Sequence, residues 1–371
     1  MEPLSLFSEI VRYPDRYAME WKRKTGGSIV GHFCSYTPEE IITAAGALPY
    51  RIFGSSTGIS KADAHLQAYS CSLVRGALED ALAGRLDFLD GTVFPHTCDS
   101  IQRLSDIWRL NIKGKFHLDV VLPVKLNTDS AGAYMVDVLN KFRSELQTAL
   151  AAEIGDQQLG AAVRTYNRIR DGLSRLYAIR RNHPGAVGSS DVHTIFRASM
   201  IMDRADFSSV LEDFLAALDP GRDSTAEGKR IVLTGGLCNM PDIYRVIESS
   251  GGRVVWDDFC TGARYFEGRI DDRGDIVAAI ADRYLNRVVC PAKHSGNTNR
   301  GDYLLKQVKE YGAKGVIFVF LKFCDPHAFD YPYMKTMLEK EGIPHLMLEI
   351  EDQTASEGQL RTRCEAFMEM L

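Results

Sequence analysis

No two of the eight cysteines in this 371-residue chain lie close together; the shortest interval is the 22 residues from Cys238 to Cys260. Zinc ribbons, thioredoxin-type redox pairs and ferredoxin loops all place two thiols on one tight turn, so each of them is excluded. The longest apolar stretches, such as residues 315–321, fall far short of the roughly 20 residues that cross a bilayer. Residues 1–18 alternate apolar positions with Glu2, Glu9, Arg12 and Asp15, which is not the basic start and apolar stretch of a secretory signal. Excess positive charge is missing too. The chain has 44 basic against 49 acidic residues, a net charge of −5, and so shows no electrostatic footprint for nucleic acid or an anionic membrane. Nor does Gly-x-x-x-x-Gly-Lys-Ser/Thr occur, so ATP is not expected to bind this chain through a P-loop. The expectation is a soluble, cytoplasmic protein with no nucleic-acid and no membrane partner.

What is present is an ordinary globular mixture, 45% hydrophobic and 25% charged, long enough for more than one domain. Apolar runs alternate with helical periodicity at both ends of the chain. Strands are predicted over 28–33, 48–53, 91–94 and 118–123. Helices are predicted over 38–45, where Thr37-Pro-Glu-Glu40 reads as a capping box, and over 64–83 and 99–110. From about 130 to 216 the period becomes 3.6 with no strand signal, giving helices over 134–153, 158–181, 192–203 and 207–218, and residues 219–225 form a turn-rich linker. A second alternating block follows, with strands over 230–234, 253–256, 315–320 and 345–350 and helices over 242–249, 275–286, 301–311, 333–340 and 358–370. The predicted fold is α/β: two doubly wound, parallel-sheet domains over 1–129 and 226–371, joined by a helical section and linker over 130–225.

The two blocks share a corner. Val93-Phe-Pro-His-Thr-Cys98-Asp99 and Val319-Phe-Leu-Lys-Phe-Cys324-Asp325 each run from an apolar strand into Cys-Asp and a helix, a hint of duplication. The carboxyl ends of parallel strands border the ligand crevice, so both thiols fall where chemistry is usual. Cys34 and Cys260 also follow predicted strands, Cys290 precedes Pro291, and Cys71 sits near the middle of the 64–83 helix. A site assembled from distant segments is one reading, and plain packing is the other, because free cysteine is among the most buried residue types.

His96, Lys322 and His327 flank the two corners as proton sources, whereas Asp99 and Asp325 suit helix N-termini without any further role. Arg264 and Arg300 are equally suited to an anionic ligand or to a carboxylate. Thr234-Gly-Gly236 reads as a tight turn rather than a phosphate cradle, since its spacing is not a dinucleotide fingerprint. Gly54-Ser-Ser-Thr-Gly58 fits a nucleophile elbow with Ser56 as a serine-hydrolase nucleophile, but residues 59–63 separate it from the helix such an elbow requires.

The run Gly31-His-Phe-Cys-Ser-Tyr-Thr-Pro-Glu-Glu-Ile-Ile-Thr-Ala-Ala-Gly-Ala-Leu-Pro-Tyr50 resembles the opening signature of the 2-hydroxyacyl-CoA dehydratase and benzoyl-CoA reductase family. Similar blocks follow in family order at Cys71-Ser-Leu-Val-Arg75, Cys98-Asp-Ser-Ile-Gln-Arg103, Phe323-Cys-Asp-Pro326, Gly342-Ile-Pro344, Leu348-Glu-Ile-Glu351 and Gly358-Gln-Leu-Arg-Thr-Arg363. The resemblance implies an oxygen-sensitive iron-sulfur subunit of two flavodoxin-like domains. It implies single low-potential electrons arriving from a separate ATP-hydrolysing iron-sulfur activator protein. In dehydratase subunits a 4Fe-4S cluster is held by three cysteines, and the matching positions are Cys71, Cys98 and Cys324. One iron is then left open to substrate.

Asp257-Asp-Phe-Cys-Thr-Gly-Ala-Arg264 and Arg287-Val-Val-Cys-Pro291 further resemble the double-cubane branch, whose 8Fe-9S cluster needs six thiolates. Cys34, Cys71, Cys98, Cys260, Cys290 and Cys324 supply six. Cys238 is able to replace one of them, Cys34 becomes structural if only one 4Fe-4S cluster is bound, and Cys364 is assigned to packing. The double-cubane branch implies a homodimer, and the dehydratases and reductases imply a related second subunit. Compatible substrates are an acyl-CoA, an aromatic thioester or a small molecule such as acetylene or azide.

Overall fold

The computed structural model describes residues 2–54, 58–218, 228–236, 242–296, 299–351 and 357–371. Two helices, α1 (Pro3–Arg12) and α2 (Pro14–Thr25), precede β1 (Ile29–His32), α3 (Glu39–Ala44), β2 (Leu48–Arg51), a 3-10 turn at Ala62–Ala64, α4 (Ser72–Leu82), β3 (Gly91–Pro95), α5 (Asp99–Asn111) and β4 (Phe116–Val120). Four helices follow without a strand, α6 (Asp129–Leu150), α7 (Asp156–Asn182), α8 (Ser189–Ser199) and α9 (Arg204–Ala217). The second block holds β5 (Lys229–Gly235), α10 (Ile243–Ser249), β6 (Gly252–Asp258), α11 (Ala263–Phe266), α12 (Ile276–Asn286), α13 (Asn299–Glu310), β7 (Gly315–Leu321), α14 (Asp325–Lys340), β8 (His345–Ile350) and α15 (Glu357–Met370).

Each block makes one all-parallel sheet, and the strand orders correspond: β2-β1-β3-β4 and β6-β5-β7-β8. The connection reverses direction between β1 and β3, and again between β5 and β7. In open sheets such reversals open a crevice at the carboxyl ends. The α/β expectation of two flavodoxin-like halves is met, and the strands read as continuous apolar runs because helices cover both faces.

Three local expectations are corrected. The helix expected over 64–83 begins only at Ser72, because the buried carboxylate of Glu79 accepts the backbone N–H groups of Ser60 and Ala62 at 3.0 and 2.9 Å and folds the preceding segment back over α4. The capping box at Thr37 does not form: Pro38 is the cap, Thr37 Oγ1 has no hydrogen-bond partner among the described residues, and Glu39 and Glu40 turn instead to arginines of the helical section. The helix expected over 333–340 starts at Asp325 and runs through Pro332, since burial of His327, Met334 and Leu338 along it outweighs the one hydrogen bond a proline forfeits. The predicted linker at 219–225 lies outside the described residues.

The halves are held together by α7. Asn167 donates to the carbonyl of Ile270 at 2.8 Å, Tyr177 to Asp257 at 2.7 Å, and Arg170 pairs with Glu40. Side chains of α12 leave the second sheet and join the apolar core under the first, where Ile280 and Tyr284 share a cluster with Val30, Val93 and Met135. The chain after α12 is then stitched to the β4–α6 connection, with Leu126 N donating to His294 O and His294 N to Val124 O, each at 2.8 Å.

Candidate functional site

The carboxyl ends of both sheets face the junction between the halves, and six cysteines are delivered there by six different segments. Cys34 lies two residues beyond β1, and Cys260 two beyond β6. Cys71, Cys98 and Cys324 are the N-cap residues of α4, α5 and α14. The mid-helix position expected for Cys71 is therefore corrected, since the shortened α4 brings that thiol to a helix end like the other two. Three helix N-termini thus aim their positive ends and free amides at thiols. The amides of Leu73 and Val74 favour the Cys71 thiolate, that of Ile101 favours Cys98 and that of His327 favours Cys324. Phe323 adopts φ +64°, a strained conformation for an aromatic residue, immediately before Cys324. On the other corner, a Cβ on Gly262 would meet Asp257 Oδ1 at 1.7 Å, so only glycine lets the loop after Cys260 close.

Electrostatics divide the thiols into two groups. Burial pushes Cys98 up to about 12, and Cys71 is the neighbour that raises it most; burial raises Cys324 strongly, again with Cys71 and then Cys98 as its leading thiol neighbours. Burial pushes Cys290 up to about 11, with Cys260 and then Cys34 adding to it. By these influences Cys71, Cys98 and Cys324 group as one triad and Cys34, Cys260 and Cys290 as a second. Weaker influences run from Cys34 and Cys290 to Cys98, and from Cys290 to Cys324, so the triads adjoin. Among the described residues no three His, Cys, Asp or Glu side chains close on a single metal ion. Cys364 is fully buried in the apolar packing of α15, as expected of a structural cysteine, and Cys238 lies outside the described residues.

A cavity of 530 Å³ opens between the halves, beside Cys98 and beside the residues flanking Cys290. Cys98, Gln102 and Asp99 line it from α5, and Lys293, His294 and Asn299 from the opposite half. Phe329 and Tyr333 of α14 stand on its exposed rim. The three proton sources named from sequence are disposed otherwise. His96 bonds Asp119 at 2.9 Å, within a chain that continues through Ser105 to His117. Lys322 is engaged in an exposed pair with Glu351 at 2.5 Å. His327 is buried against Phe320 and kept neutral by burial, with Arg264 and Arg300 reinforcing the effect. None of the three is among the residues lining the cavity.

Arg264 and Arg300 both resolve to a carboxylate partner, meeting Asp258 at 3.0 and 2.9 Å. Thr234 donates to the same aspartate at 3.0 Å, and a Cβ on Gly235 would stand 1.9 Å from the carbonyl of Val319, so this glycine serves close strand packing. Ser56 lies outside the described residues.

Sequence reading passed over a buried network behind Cys34. Glu39 Oε2 accepts from Arg204 at 2.7 Å, Tyr265 at 3.0 Å and Tyr166 at 3.1 Å, which come from three separate regions of the chain. Burial pushes this carboxyl up, but Arg204, His32 and the hydrogen bonds outweigh it and hold Glu39 at about 2. The Glu-Glu pair after Thr37-Pro38 was the available signal, hidden because it also fits a helix start.

His32 and His327 give an expected pH dependence. Burial depresses both, His32 to about 3 and His327 well below its usual value, so each is neutral when folded. In the unfolded chain both bind a proton below about pH 6.5. The unfolded state then holds more protons, and stability must fall as pH falls. The two imidazoles together should remove about 2–3 kcal/mol between pH 7.5 and 5.5. Urea unfolding at the two pH values checks this, and a flat profile is the result against it.

Comparison with known proteins adds a family. The 2-hydroxyglutaryl-CoA dehydratase D-component family matches residues 34–371. The chain is 28% identical over 365 residues to the (R)-phenyllactyl-CoA dehydratase beta subunit of Clostridium sporogenes, covering 98% of this chain and 97% of that protein. It is 29% identical over 361 residues to a benzoyl-CoA reductase subunit of Thauera aromatica, covering 95% and 94%. It is 25% identical over 371 residues to the (R)-2-hydroxyglutaryl-CoA dehydratase subunit beta of Acidaminococcus fermentans, covering 98% of each.

Proposed function

We propose that this chain, which belongs to the 2-hydroxyglutaryl-CoA dehydratase D-component family, is an iron-sulfur enzyme component of the 2-hydroxyacyl-CoA dehydratase and benzoyl-CoA reductase class. The observation that carries the reading is that six cysteines from six separate segments act on one another electrostatically, in two overlapping sets, with Cys98 lining a cavity between the halves. The donor set fits the group. Thiolates are the usual ligands of iron-sulfur clusters, and helix N-termini hydrogen-bond their sulfides. When bound, such a cluster supplies single low-potential electrons.

A double-cubane cluster would need six thiolates, three for each of its halves. Cys71, Cys98 and Cys324 would hold one cubane, and Cys34, Cys260 and Cys290 the other. The chain's remaining residues then bind and orient. Gln102, His294 and Asn299 offer polar contacts in the cavity, and Phe329 and Tyr333 offer exposed aromatic faces on its rim. His96, positioned by Asp119, stands two residues from Cys98 and is the proton source we favour. A separate ATP-hydrolysing iron-sulfur activator is proposed as the electron donor.

A second reading is favoured by the relatives' names, which are those of subunits. Here one 4Fe-4S cluster sits on Cys71, Cys98 and Cys324, and a related second subunit completes the enzyme. Anaerobic purification with iron analysis tests both. About eight irons per chain supports the double cubane and about four the single cluster. A colourless protein free of iron eliminates the two together.

A further inference from the structure

Three cations are buried against the second triad: Arg264, Arg287 and Lys293, each no more than 5% exposed. Arg264 shares Asp258 with Arg300, so one carboxylate serves two guanidinium groups. Among the described residues neither Arg287 nor Lys293 has a carboxylate partner. Arg287 donates to the carbonyl of Arg264 at 3.0 Å and the hydroxyl of Ser35 at 3.4 Å, and lies 4.1 Å over the Tyr36 ring. Lys293 reaches only the carbonyls of Leu122 at 3.2 Å and His96 at 3.4 Å. Arg264 Nη1 and Arg287 Nε have no hydrogen-bond partner among the described residues. A buried cation without an anion is costly, so these side chains call for negative charge.

Besides Asp258 at Arg264 and the phenols of Tyr36 and Tyr284, the groups that act on these cations are the thiols. Arg287 neighbours Cys34 and Cys290, Arg264 neighbours Cys260 and Cys290, and Lys293 lies near Cys290, Cys34 and Cys98. Cys290 is common to all three. The first triad has a different setting: Asp99 and Asp325 follow two of its cysteines directly, and Asp325 acts on Cys71.

We propose that Arg264, Arg287 and Lys293 are positioning residues that form a cationic wall on the Cys34, Cys260 and Cys290 side of the cluster, raising the reduction potential of that half relative to the Cys71, Cys98 and Cys324 half. The proposal rests on the iron-sulfur reading above, in its double-cubane form. Net charge around a cluster is one of the protein's means of setting its potential, and a nearby cation favours the reduced form. An electron taken from an external reductant, which is itself oxidised by one electron, would rest on the walled half.

The test is an anaerobic redox titration followed by electron paramagnetic resonance, after iron analysis of each sample, on the wild type and on Lys293→Met, Lys293→Arg and Arg287→Gln. The expected result is a roughly tenfold fall in the reduced-to-oxidised ratio at the wild-type midpoint in Lys293→Met, about 59 mV for a one-electron couple, with Lys293→Arg restored to the wild-type value. Arg287→Gln should shift the same way and carries the measurement if Lys293→Met fails to load iron. Wild-type midpoints in iron-replete Lys293→Met and Arg287→Gln would overturn the proposal alone. A wild type carrying no iron, or about four irons per chain, would overturn the double-cubane reading and the proposal with it.

Discussion

Replacing Cys98 or Cys324 by alanine is expected to abolish bound iron, whereas Cys364→Ala should leave it at the wild-type level. Cys98 and Cys324 each cap a helix at the cavity side and belong to the triad common to both readings. On either reading, losing one of them would leave an iron without a protein ligand and two helix-end thiols on an incomplete site. Cys364, by contrast, touches only the packing around α15. The second triad then separates the readings. On a double cubane, Cys260→Ala or Cys290→Ala should remove half the iron or more. On a single 4Fe-4S cluster both variants, with Cys34→Ala, should retain about four irons. Iron analysis with absorbance near the sulfur-to-iron charge-transfer region reads each variant. Equal iron in all of them would return the cysteines to packing.

Glu39→Ala should be the most damaging single change away from the thiols, lowering unfolding free energy by about 3–5 kcal/mol. The carboxylate is the shared acceptor of Arg204, Tyr166 and Tyr265, so its removal strands a buried guanidinium and two hydroxyls at once. Those donors come from α9, α7 and α11, while Glu39 itself starts α3, five residues beyond Cys34. The loss should therefore loosen the junction that aligns the triads. Removing charge and partner together, as in Glu39→Leu with Arg204→Met, should cost much less than Glu39→Ala alone, because no uncompensated ion remains. Urea unfolding of the three proteins measures this, and a single mutant within 1 kcal/mol of wild type would contradict the role given to the network.

The thiol triads and the elements that carry them differ in how far they could be read from the chain. Strand β8 coincides with its predicted bounds, and the long helices α6 and α7 fall within a few residues of theirs, because apolar periodicity is local and survives any tertiary context. Cys71 escapes a local reading for the opposite reason: the helix start depends on Glu79 reaching back to Ser60 and Ala62, a contact between residues that no propensity couples. Pro332 likewise signals a helix end that burial of Met334 and Leu338 overrides.

By itself, then, the amino-acid order determined the alternating pattern of two parallel sheets, the corners where strands end in cysteine, and the family blocks that run through both. The folded arrangement decided which thiols share a triad, that Arg264 and Arg300 are bound to Asp258, and that Lys293 and Arg287 lack an acid among the described residues. Ionic partners and ligand groupings are set by distances between segments tens or hundreds of residues apart, and those distances exist only once α7 and α12 have drawn the two halves together.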